Sequence, residues 1–180
     1  MQKKVEVAIK GISPLLMHSF PMMPLEHAEK KSKEEQAEYA AYRDAETKEL
    51  YIPSVCIQRC MVSAATYSKG KGRASLQKQV AACVFISPDR VSLGTKDYKI
   101  DARPVVVPAT KGRIIRYRPI LEQWQCKFEI EYDDDLLTEA NLRKILDDGL
   151  QRVGLLDFRP EKKGPFGRAI VTKWTAQNGK

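Results

Sequence analysis

Two stretches of this chain space their apolar residues for a helix, and each lies between stretches spaced for strands. Ile57, Cys60, Met61, Ala64 and Ala65 recur at i, i+3, i+4, i+7 and i+8, one stripe of a helix packed on a sheet. Leu142, Ile145, Leu146, Leu150 and Val153 line one side of a second helix predicted over 138–153. Alternation marks strands around Val5, Val7 and Ile9, and around Phe128, Ile130 and Tyr132. Further strands are expected over 50–52, 81–86, 91–93, 98–107, 114–120 and 169–174, with turns at Pro88-Asp89 and Gly94. Ser54 is the expected N-cap of the first helix, and Asp133, Asp134 and Asp135 place acid at the start of the second. The proline-bearing stretch 11–24 has no period and reads as a loop. Residues 25–44 favour a surface helix with a thin stripe of Tyr39, Ala40 and Tyr42.

The order strand, helix, strands, helix, strand predicts an α+β fold. Its core would be a ferredoxin-like, RRM-like βαββαβ unit, with both helices on one sheet face and the other face free to meet a ligand. The 180 residues suffice for one domain (1–180), with a helical insertion at 25–48, a β extension at 85–120 and a Gly-rich loop at 154–168. No apolar run approaches the ~20 residues that span a bilayer, and the charged N-terminal stretch is unlike a signal peptide, so a cytoplasmic protein is expected. Cys56, Cys60, Cys83 and Cys126 form no CxxC pair and read as buried thiols, without disulfide, structural metal or cofactor.

Charge is segregated along the chain. Residues 51–120 carry 13 Lys+Arg against 3 Asp+Glu, net +10, while 1–50 and 121–180 are each net −1. A concentrated surplus points to a polyanion, and nucleic acid comes before a membrane because the cations lie in loops and strands rather than on an amphipathic helix. In an extended strand Arg116 and Arg118 share one face, and Lys111, Arg113 and Ile115 the other; Tyr117 points away from the two arginines. The alternative for this stretch is an edge strand whose charges deter pairing. Lys69, Lys71 and Arg73 make a second patch on a loop that is either binding or merely solvated. The third is Gly154 to Arg168, where Arg159, Lys162, Lys163 and Arg168 surround two glycines, so that backbone N–H groups and cations would cradle phosphate. Phe158 and Phe166 would either stack on bases or plug the core, and Tyr117 is the other stacking candidate beside Phe166.

A basic, glycine-rich loop between the last helix and last strand resembles that of the RAMP superfamily, which includes the backbone subunits and crRNA-processing endoribonucleases of CRISPR systems. Tyr51-Ile52-Pro53-Ser54 is similar to the start of a helix in those backbone subunits. Pro14-Leu15-Leu16-Met17, Arg118-Pro119 with Trp124, and the loop 154–167 also resemble uncharacterised phage proteins. The resemblance implies a bacterial or phage-infected cell and protomers assembled along a nucleic-acid strand.

Catalytic residues are few. Metal-independent RNA cleavage needs an acid and a base, commonly His, and only His18 and His27 are present. The resemblance puts a catalytic His in the loop holding His18; read alone, His18 is a polar side chain in a Pro-rich loop. The expected function is therefore non-catalytic binding of single-stranded RNA or DNA through its phosphates. The alternatives are a metal-independent endoribonuclease and a phage-encoded inhibitor that docks on a protein.

Overall fold

The computed structural model describes residues 1–20, 30–69, 75–107 and 109–177. Along the chain, β1 (Gln2–Gly11) and β2 (Leu15–Leu16) precede α1 (Lys33–Tyr39), β3 (Tyr51–Pro53), α2 (Ser54–Ala64) and α3 (Gln77–Cys83). Then come β4 (Val84–Ser87), β5 (Arg90–Ser92), β6 (Lys99–Val106), β7 (Arg113–Leu121), β8 (Gln125–Asp133), α4 (Glu139–Asp148) and β9 (Ala169–Gln177). This is an α+β architecture. The four-stranded sheet runs β4-β8-β1-β9, a three-stranded sheet β2-β7-β6, and β3 pairs with β5, all antiparallel.

Alternation along β1 and β8 explains the core. Val5 faces Ile130, Val7 faces Phe128 and Ile9 faces Cys126, and all six are buried with Ile57, Met61, Leu142 and Leu146 from the helices. The opposite face is compensated in part. Lys4 holds Glu129 at 2.7 Å and Glu131 at 3.6 Å, and Gln177 donates to Glu6. Lys10, Lys127 and Lys173 lie on the same face, exposed and without an ion-paired carboxylate among the described residues.

Several local expectations change. The strand expected over 81–86 starts only at Val84, because Leu76, Val80 and Cys83 at i, i+4 and i+7 bury one side of a helix. Pro53, not Ser54, caps α2, and the Ser54 N–H donates to the Asp89 carbonyl at 2.8 Å. Asp133, Asp134 and Asp135 precede α4, whose cap is Thr138; their carboxylates accept from the Met1 amino group at 2.9, 2.7 and 2.8 Å. Of the insertion expected over 25–48, α1 is helical, started by a Ser32–Glu35 capping box; residues 21–29 lie outside the described residues. Cys60, Cys83 and Cys126 are buried free thiols and Cys56 is half-buried. No helix among the described residues is long and apolar enough to cross a membrane.

Two features position the site. β6 and β7 form a ribbon standing outside the main sheet. The strip from Gly11 to Met17 then crosses from one sheet to the other. On one side Ile12 N–H donates to the Arg168 carbonyl, while the Pro14 and Leu16 carbonyls accept from Gly167 and Asp157 N–H groups. On the other, Leu15 and Leu16 pair with Leu121 and Ile120, and Met17 N–H donates to the Pro119 carbonyl.

Candidate functional site

The Gly-rich loop is built from close backbone contacts. A Cβ on Gly164 would lie 1.8 Å from the Phe158 carbonyl oxygen, and one on Gly167, at φ +72°, 2.0 Å from that of Leu155. Only glycine allows either approach. The N–H groups of Leu155, Asp157, Lys162, Lys163, Gly164, Phe166 and Gly167 all donate to carbonyls within the protein, and Arg168 N–H donates to Ser13 Oγ. The expected phosphate cradle of backbone donors is thus corrected: those donors hold the loop to itself and to the strip Gly11–Met17. Leu156 at φ +59° and Phe158 at +45° flank Asp157 in left-handed conformations that cost free energy outside glycine.

The ribbon presents a cationic face toward this loop. Arg103 lies opposite Arg116 and Asp101 opposite Arg118, so all four share one face. Arg103 stacks its guanidinium 4.7 Å from the Phe166 ring centre and 5.9 Å from that of Phe158, and its Nε donates to both Asp101 oxygens. Arg118 is only 5% exposed. Its Nη1 donates to Asp157 at 2.5 Å, its Nη2 lies 3.7 Å from Asp101, and its buried Nε has no partner among the described residues. Asp157 also lies 3.4 Å from Nδ1 of His18. Burial pushes the Asp157 carboxyl up, but His18 and Arg118 outweigh it and hold it down at about 2.

The predicted site residues divide accordingly. Arg118 is buried in an ion-pair network and cannot track a phosphate backbone. Arg159 gives Nε and Nη2 to Glu161 and Nη1 to the Leu156 carbonyl, so its donors are engaged in the loop. Phe166 is buried, edge-on to Phe158 and capped by Arg103, which removes it as a base-stacking platform. Tyr117 is half-buried with the Lys33 ammonium over its ring. Lys69 is exposed on the helical layer, next to Ser68, which lies 3.5 Å from Lys144 Nζ. Among the described residues no hydrogen bond, ion pair or ring contact joins Lys69 to ribbon or loop. Lys71 and Arg73 lie outside the described residues. Arg113 takes the face opposite Arg116 and so does not join the Arg103 side, while Lys111 stands in the turn of the ribbon, beyond the paired positions.

Arg116, Lys162, Lys163 and Arg168 are exposed and without an ion-paired carboxylate among the described residues. The residue missed is Arg103. Alternation through Asp101, Arg103 and Val105, aligned with Arg116 across a hairpin, is the signal that finds it. No model of a known protein family matches the chain, and no curated protein matches it either.

Proposed function

We propose that this protein binds nucleic acid, single strands before duplex, through the face shared by the ribbon and the Gly-rich loop. The observation that carries it is Arg103 beside Arg116 on a ribbon packed over the Gly-rich loop: that ribbon face and the loop together carry seven cations against the three carboxylates of Asp101, Asp157 and Glu161. A single strand bends to follow a patch divided between strand and loop, whereas a duplex, with a persistence length of about 150 bp, does not. The sheet order β4-β8-β1-β9 supports a ferredoxin-like βαββαβ core, with its first and third strands central. It supports the RAMP-type reading in turn, and with it protomers lined along a strand in the cytoplasm.

The test is fluorescence polarisation with single- and double-stranded oligonucleotides of RNA and DNA across salt. Log affinity is expected to fall linearly with log salt. The Arg103→Ala/Arg116→Ala pair is expected to lower affinity by roughly tenfold or more and to reduce the slope by about 2, while Lys69→Ala changes neither. An absence of binding at low salt with every oligonucleotide sinks the proposal.

The contact between His18 and Asp157 favours a second reading, a metal-independent endoribonuclease. A carboxylate at Nδ1 orients the imidazole and leaves Nε2 for proton transfer at a ribose 2′-OH. His18→Ala is then expected to bind RNA as the parent does and to leave it intact. RNA unchanged after long incubation with the parent protein removes this reading.

A further inference from the structure

The ribbon carries a second surface with different chemistry. On the side opposite Arg103, β6 displays Ala102, Pro104 and Val106, and β7 displays Ile115 and Arg113. Pro104 lies directly across from Ile115 and Val106 across from Arg113, so the apolar side chains form one patch. Near the base of the ribbon α1 covers this side, with Lys33 over Tyr117. Farther out the residues are exposed, Val106 at 58% and Ile115 at 57%. A contiguous exposed apolar patch on a strand pair marks an association surface. Its outer end is cationic: Arg113 and Lys111 have no carboxylate partner among the described residues.

We propose that this outer face docks an acidic, apolar segment of a partner protein, independently of the nucleic-acid face. Alternate apolar side chains of the segment lie on Pro104, Val106 and Ile115, and its carboxylates meet Arg113 and Lys111. A second copy of this chain fits poorly, because the β6 and β7 residues of this face include no carboxylate to meet Arg113 and Lys111. A nucleic acid fits poorly too. This side offers phosphates only Arg113 and Lys111, against the seven cations of the other ribbon face and the loop, and its Pro104, Val106 and Ile115 add no donor.

The probe is a fluorescein-labelled peptide of about ten residues alternating leucine and glutamate, long enough to lie along the ribbon, with a leucine–lysine peptide as control. The glutamate peptide is expected to bind and the lysine peptide not. Val106→Ser/Ile115→Ser and, separately, Arg113→Glu are each expected to weaken peptide binding by roughly tenfold. The serine pair keeps the parent's affinity for oligonucleotides, and Arg103→Ala/Arg116→Ala keeps peptide binding. Equal binding of both peptides, or of neither, overturns the proposal. So does a loss of oligonucleotide affinity in the serine pair, which makes the face a nucleic-acid surface. A dimer of the parent that the serine pair dissolves in sedimentation overturns it in favour of a second copy.

Discussion

Gly164→Ala is expected to destabilise the protein by about 3 kcal/mol or more, lowering its melting temperature by roughly 6–12 °C. The new Cβ would fall 1.8 Å from the Phe158 carbonyl oxygen and 2.4 Å from its carbon, and both are backbone atoms with nowhere to retreat. Phe158 is itself left-handed and packed on Phe166 under Arg103, so a shift there spreads to the cationic face. Gly94→Ala is the control. Its φ of +65° imposes the conformational cost, but nothing lies within 4 Å of its Cβ, so about 1 kcal/mol is expected. Thermal unfolding of the two variants side by side decides the matter: equal losses would mean that the close approach at Gly164 does not constrain the loop. Oligonucleotide affinity should fall with Gly164→Ala and hold with Gly94→Ala.

The second large effect is expected from Asp157→Asn. The substitution leaves the Arg118 guanidinium buried with only Asp101, 3.7 Å away, in place of a 2.5 Å partner. Breaking a buried pair from one side costs about 3–5 kcal/mol, and the remaining carboxylate puts the expected loss near 3. The pH dependence has a definite sign. The Asp157 carboxyl is held at about 2 in the folded chain, below its ordinary 3.8. Its stabilising contribution is therefore full above about pH 4 and is lost as pH falls toward 2. The stability gap between parent and Asp157→Asn should be widest near neutral pH and close through that acid window. Denaturant titrations at several pH values measure it directly; a gap constant down to pH 2 would mean that Asp157 carries no charge-dependent share. Arg118→Met combined with Asp157→Asn should cost less than the sum of the two single changes, since the orphaned charge is gone.

Period carries far in this chain. The stripe from Ile57 to Ala65 and the alternation of β1 and β8 place the buried core without tertiary information, because one face of each element must leave water. The side-chain directions along 111–118 follow from the same rule: Arg116 and Arg118 share a face and Arg113 takes the other. What period does not reveal is which charge is neutralised. Arg118 and Asp157 are 39 residues apart, and their pairing exists only once the Gly11–Met17 strip has brought ribbon and loop together. The glycines misdirect for a related reason. Gly164 and Gly167 signal close approach to something, and sequence does not distinguish a ligand from the backbone of Phe158 and Leu155. The helix α3 is hidden because its seven residues end where a strand begins, too short for a helical period to outweigh the β-branched residues that follow.

The crossing strip from Gly11 to Met17 works as a shared seam. Prying the ribbon away from the loop means tearing bonds on one side of the strip or the other, at Leu121, Ile120 and Pro119 or at Gly167 and Asp157. Whatever sits between the two therefore meets one stiff jaw rather than a pair of moving ones, and seating it carries no toll for closing a hinge.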